Sequence, residues 1–332
     1  MYERVVRRTL SHGTTAAAYY ATTHPDATLI LAEICLQYGQ RALVGKVCMD
    51  INTPEYYRET VEESLESQEK VTKGIRKLDP EFRLIKPVIT PRFAVSCTEK
   101  LMEALGDYAK KNTDIPIQTH ISENIAETEF VKQLFPWSES YANVYDKFGL
   151  LNDRTILAHC VYLTDHEIEL VRERGAGISH CANSNTSLSS GEAPVIKYLS
   201  KGLKIGLGTD CSGGYSVSIL DSVRAASNVS RHLQMRDPTK SSQLDLSQLL
   251  YMATAGGAKV MGLEETIGDF SVGKEFDALL VDLDDSVGGN VDIFDDEVGD
   301  IEKIVAKWVY NGDDRNLRSI WIAGNPVNLN IN

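Results

Sequence analysis

The chain has 332 residues, 42% of them hydrophobic and 24% charged, with a formal net charge of −13. These are ordinary globular proportions, enough for one barrel-sized domain with an appendage or for two domains, and the negative balance excludes nucleic acid or an anionic membrane as the main partner. No apolar run approaches the roughly 20 residues that span a bilayer, and MYERVVRRTLSHG lacks the apolar core of a signal peptide; six scattered cysteines with no Cys-x-x-Cys pair indicate reduced thiols and a cytoplasmic setting.

The chain opens with an amphipathic helix, YERVVRRTLSHG, ending at Gly13. Seven short apolar runs follow: TTAAAYYAT, RALVGKVCM, RLIKPVITPRF, IPIQTHIS, TILAHCV, GAGISHC and LKIGLGTD. Each reads as a strand buried on both faces. Helical patterns separate them. The segment from Asn52 to Leu78 is long, charged and periodic, which predicts one helix. Ser96 with Glu99, and Thr164 with Glu167, have the spacing of capping boxes, and Gly175 marks a helix end. Strands alternating with helices predict βαβ units and a parallel sheet. A closed (β/α)₈ barrel needs eight strands, so this pattern starts one strand late.

After Asp210 a Gly- and Ser-rich loop leads to a helix over SILDSVRAASNVSRHLQM and another around LSQLLYMATAGGAKVMG. From Gly268 the texture changes. GDFSVGKEFDALLVDL, KIVAKWVYNG and RSIWIAGNPV read as short β runs of a small appendage. The acidic stretch from Asp282 to Asp300 lacks the ligand spacing of an EF-hand and reads as a solvated loop. The division expected is a barrel over residues 1–265 and a C-terminal β segment over 266–332.

Four consecutive strand candidates end in residues that hold metals or move protons: His120 with Glu123, His159, His180 and Asp210. An imidazole can bind zinc and a nearby carboxylate can shuttle protons; a core histidine followed by an ordinary helix N-terminal glutamate would look the same. His159 and His180 each precede a cysteine, and alternation along a strand sends the two to opposite faces. Asp210 closes an apolar run, where a carboxylate is costly unless paired or metal-bound, although an N-cap is the plainer role. His12, His24, His166 and His232 lie in turns or on charged helix faces and carry little weight. Taken in order, the strand ends point to one barrel rim, where such enzymes keep their chemistry.

Those ends resemble the amidohydrolase superfamily. TPRFAVSC, IQTHISEN, SHCANSNTSLSSG and GLGTDCSGGYSVSILDSVR are more closely similar to the guanine deaminase family, over nearly the whole chain. The resemblance implies an α/β fold, a metal-dependent hydrolase (β/α)₈ TIM-type barrel lacking its first strand, with a small C-terminal β appendage. It implies Zn²⁺ as cofactor, guanine as substrate, hydrolysis to xanthine and ammonia in purine catabolism, and a homodimer. His120 and Asp210 would be zinc ligands, with Asp210 also the base acting on water. Glu123 would protonate the purine ring and His159 orient the attacking hydroxide. Arg92, Phe93, His120, Glu123 and Asp210 would line the substrate site, with His180 in support. Ala182 stands where the family has proline. The family's His-x-His pair, which supplies two further zinc ligands from the first strand, has no counterpart in this chain, so weak zinc binding and an inactive chain are expected consequences. A non-catalytic paralogue acting as a binding or assembly partner, or an amidohydrolase acting on another heterocycle, are the alternatives.

Overall fold

Residues 1–283 and 289–329 are described by the computed structural model of the chain. Its centre is a seven-stranded parallel sheet in sequence order: β1 (Ala16–Tyr20), β2 (Arg41–Cys48), β3 (Ile85–Pro91), β4 (Ile117–Ile121), β5 (Thr155–His159), β6 (Gly177–His180) and β7 (Lys204–Leu207). All seven expected strands are present. Every residue of β2 is buried, because helices cover one face and the curl of the sheet encloses the other. Leu43 on β2, Val88 on β3 and Ile156 on β5 meet Val260 in one cluster, with Ala18 of β1 against it. Gln118 on β4 also donates to the Tyr19 carbonyl on β1, at 2.9 Å. Side chains from strands well apart in the order therefore converge inside a half-barrel. β1 and β7 stand at the two ends of the order.

Helix Tyr2–Ser11 precedes β1, and Gly13 takes the left-handed φ of +86° that turns the chain from one into the other. Helix Asp165–Arg174 has the expected Thr164–Glu167 capping box and ends at Gly175, also left-handed. Two boundaries differ from the sequence reading. The predicted helix over Asn52 to Leu78 begins only at Val61, after a 3₁₀ turn at Glu55–Tyr57. Thr60 and Glu63 form the capping box there, so the true N-cap was hidden inside a run of helix-compatible residues. Helix Glu99–Lys111 is capped by Thr98, whose hydroxyl accepts from Leu101 N, while Ser96 sits in the preceding 3₁₀ turn.

Beyond the barrel, β8 (Ala278–Val281), β9 (Leu317–Ile322) and β10 (Asn325–Pro326) form an antiparallel sheet in the order β10-β9-β8. KIVAKWVYNG is not a strand: residues Ile301–Asn311 are a helix capped by the Asp300 carboxylate. Ile301, Ile304, Val305, Trp308 and Val309 follow a helical period there. Of the acidic stretch, residues 284–288 lie outside the described ones. In the remainder Asp295–Glu297 forms a 3₁₀ turn, and Glu297 pairs with Lys307, so that part is anchored rather than freely solvated. Among the described residues no helix is long and apolar enough to cross a membrane.

Candidate active site

The C-terminal ends of parallel strands share one rim, which is why residues far apart in sequence meet here. His120, next to last in β4, is held by the end of β3. Its backbone N–H donates to the Arg92 carbonyl at 3.2 Å, and its Nδ1 lies 2.6 Å from the same oxygen. A carbonyl only accepts, so Nδ1 carries the proton and Nε2 keeps its lone pair. Burial, and then the neighbouring His159, push the His120 imidazole down to about 4, which leaves it neutral in the range where metals are bound.

Aromatic rings frame this imidazole. Tyr20, the last residue of β1, packs on it with centroids 4.5 Å apart, and Phe93 meets it edge-on at 6.5 Å. The Tyr20 hydroxyl is buried without a hydrogen-bond partner, and burial raises its pKa well above the ordinary phenol value. The Arg92 guanidinium lies over the Phe93 ring, 5.4 Å from its centroid. His159 stacks beside His120 at 5.4 Å with an interplanar angle of 23°.

His159 is 1% exposed. Its Nδ1 is 2.8 Å from Asn185 Oδ1, and its Nε2 faces Glu123 Oε2 at 3.7 Å. The other Glu123 oxygen accepts from Ser190 Oγ at 3.0 Å. Glu123 is itself fixed at the backbone, where its N–H donates to Glu127 Oε2 at 2.7 Å. Across the rim, Asp210 Oδ2 accepts from Ser184 Oγ at 2.6 Å, and the Asp210 charge acts on His120 to favour its protonated form. Five non-glycine residues of this region have left-handed φ: Ser122 (+50°), His159 (+73°), Cys160 (+52°), Ser189 (+56°) and Asp210 (+44°). Each such residue costs on the order of 1–3 kcal/mol and persists where surrounding structure enforces it, typically at functional sites.

The structure thus gathers Arg92, Phe93, His120, Glu123, His159 and Asp210 on one rim. His180 is buried beside them with Nδ1 unpartnered, and burial followed by the neighbouring His159 pushes its pKa down to about 4. Tyr20, Ser184, Asn185 and Ser190 were not singled out from the sequence. For the last three the signal was the family-like stretch SHCANSNTSLSSG, whose polar run SNTSLSS begins four residues past the strand end at His180. His120 and Asp210 suit zinc in donor chemistry: a neutral imidazole whose other nitrogen is tied to a carbonyl, and a carboxylate oriented by a hydroxyl. Two donors are fewer than the three or four that zinc centres use. Among the described residues no group of three or more His, Cys, Asp or Glu side chains lies together so as to hold a metal ion.

A curled parallel sheet that collects imidazoles and carboxylates on the C-terminal rim defines a barrel-type enzyme scaffold. The chain belongs to the amidohydrolase family, whose profile matches residues 1–327. It is similar to the probable guanine deaminase of Schizosaccharomyces pombe, 49% identical over 328 residues, covering 98% of this chain and 62% of that protein. It is 48% identical to the guanine deaminase of Mus musculus over 330 residues, covering 98% of this chain and 72% of that one. Among solved structures, the guanine deaminase of C. acetobutylicum with guanine bound in its active site superimposes with a TM-score of 0.89 at 35% identity, covering 98% of this chain and 74% of that one. The chain therefore spans roughly two thirds of the length of the curated relatives it matches.

Proposed function

We propose that the protein is a guanine deaminase, hydrolysing guanine to xanthine and ammonia. The observation that carries this reading is the facing pair Glu123 Oε2 and His159 Nε2, each fixed on its far side by Ser190 or Asn185. It is a proton-handling pair set beside two metal-type donors. Similarity to guanine deaminases over 98% of the chain supports the choice of substrate.

In this reading the purine lies against Phe93, and the Arg92 guanidinium donates to the ring carbonyl, a charge-assisted bond that a plain amine in that place would not attract. Glu123 protonates the ring nitrogen next to the reacting carbon, making that carbon open to attack. His159 orients the attacking water and Asp210 takes a proton from it. As the adduct collapses to the new carbonyl, Glu123, now a carboxylate, takes the remaining proton of the added water and passes it to the departing amine, which leaves as ammonia, and the proton held by Asp210 returns to Glu123. His120 and Asp210 would hold zinc, and the chemistry zinc supplies in such a place is a lowered pKa for bound water.

The test is steady-state conversion of guanine to xanthine by the 332-residue chain in the presence of zinc, with adenine and a triazine as competing substrates. Guanine is expected to be preferred, and Glu123→Gln to lower kcat by about 10²- to 10⁴-fold, as loss of a general acid–base group does. Preference for another heterocycle would replace the substrate. The shortage of metal donors favours a second reading, a non-catalytic binding partner. Tight guanine binding with no turnover at saturating zinc would establish that reading instead.

A further inference from the structure

We infer that residues 184–190 act as one positioning clamp that sets the proton-transfer geometry of all three acid–base groups. This rests on the roles proposed above for Glu123, His159 and Asp210. The turn follows β6, and β6 lies between β5 and β7 in the sheet. Ser184 and Asn185 are adjacent in the short helix Ala182–Ser187, so their side chains leave about 100° apart and reach opposite neighbours. Ser184 turns to Asp210 after β7, at 2.6 Å, and Asn185 to His159 at the end of β5, at 2.8 Å. Ser190 reaches further, to Glu123 after β4, at 3.0 Å.

All three clamp residues are buried, at 0%, 1% and 6% exposure. The turn is also held by hydrogen bonds of its own. Ser190 N donates to the Asn185 carbonyl at 2.8 Å, and the Tyr162 hydroxyl donates to the Ser190 carbonyl at 2.7 Å. Room for the Ser184–Asp210 bond depends on Gly213. A Cβ there would lie 2.6 Å from Asp210 Oδ2 and 2.8 Å from Ser184 Oγ.

The clamp decides which atom of each partner is free to work. Asp210 accepts as a carboxylate and Glu123 accepts at Oε1, the carbonyl oxygen of its acid form, so Ser184 and Ser190 donate their hydroxyl protons and the acid O–H of Glu123 is left on the side of His159. One oxygen each of Asp210 and Glu123 is thereby occupied. With Asn185 Oδ1 accepting from His159 Nδ1–H, the imidazole is fixed in the tautomer that presents a bare Nε2 to Glu123. The reverse orientation of the amide would make Nδ1 the acceptor and put the proton on Nε2. The two arrangements are distinguishable without any turnover.

The test uses the full ¹⁵N-labelled chain and long-range ¹H–¹⁵N spectra of its histidine rings, with His159 assigned by its loss in His159→Gln. The expected result is an Nδ1–H tautomer for His159, kept in Asn185→Asp and lost or mixed in Asn185→Leu. If guanine is turned over, Ser184→Ala, Asn185→Leu and Ser190→Ala are each expected to lower kcat by about 10- to 100-fold, with KM moved less than about twofold. An Nε2–H tautomer in the unmodified chain, or an unchanged spectrum in Asn185→Leu, would overturn the clamp. Should Asn185→Leu fold poorly, Asn185→Asp decides the same question, since only an acceptor that holds Nδ1–H preserves the signal. A chain that shows the predicted tautomer and no turnover keeps the clamp and refutes the activity.

Discussion

His180 makes the electrostatics of the rim measurable at the scale of a single residue. It is 1% exposed, its Nδ1 has no partner, and burial, then the nearby His159, holds its pKa at about 4 against an ordinary 6.5. The folded state thus favours the neutral ring. Below the ordinary value the unfolded chain binds a proton that the folded chain refuses, so the stability contributed is complete above pH 6.5 and drains away as pH falls toward 4. The full effect is on the order of 3 kcal/mol. Leucine fills similar volume without titrating, so His180→Leu is expected to flatten the fall in unfolding free energy between those two pH values. Urea titrations of both proteins in the presence of a chelator, pH by pH, check this. Parallel acid limbs would show that His180 is already as easily protonated in the fold as in the unfolded chain.

At the scale of the element, the end of the sheet opposite the rim is tied to the appendage. Arg41 opens β2, 2% exposed, and its guanidinium donates to both Asp277 oxygens at 2.9 and 3.0 Å, to Glu275, and to the Arg83 carbonyl at 3.0 Å. Asp277 also accepts from Ala323 N at 2.8 Å, so one ion pair ties β2 to both sides of the appendage. Arg41→Met strands a carboxylate that is 5% exposed and is expected to cost about 3–5 kcal/mol in chemical denaturation, partly recovered in Arg41→Met/Asp277→Asn. A loss below about 1 kcal/mol would mean water reaches and solvates Asp277. Such long-range ties mark where the sequence stops being legible. The seven parallel strands were readable because each is a short apolar run between helical patterns, and the helix at Ile301–Asn311 was misread because a run of that length fits either period. His120, His159 and Asp210 were readable because strand ends share a rim. Ser184, Asn185 and Ser190 bond partners 26, 26 and 67 residues away. Only the β4-β5-β6-β7 order brings these pairs together, and the residues of one segment do not say which distant partners they meet.

For the whole molecule, the question is whether the two proposed donors on this rim can hold a metal. The half-barrel treats its two outer strands differently. At β7 the helix Ala255–Val260 packs so close that a Cβ on Gly206 would come within 2.8 Å of Gly257 Cα, whereas all five residues of β1 are only half-buried. Of the two proposed donors, His120 lies mid-sheet on β4 and Asp210 just past β7 at one end, while Tyr20 of β1 packs its ring on His120 and keeps a buried, unpartnered hydroxyl. A neutral phenol whose pKa burial raises still further is a poor zinc ligand, so Tyr20 adds no third donor to the proposed pair. Catalytic zinc sites use three protein donors, and losing even a supporting partner typically weakens such a site 10- to 100-fold. The 332-residue chain is therefore expected to lose most of its zinc on dialysis against metal-free buffer, with any guanine turnover rising saturably as free zinc is restored. His120→Gln and Asp210→Asn should each abolish the residual binding, because neither remaining donor chelates alone. Metal analysis after dialysis decides the matter. Close to one zinc per chain would mean that a further donor swings onto the rim when the metal arrives, and the His180 ring with its unpartnered Nδ1 would be the first place to look for it.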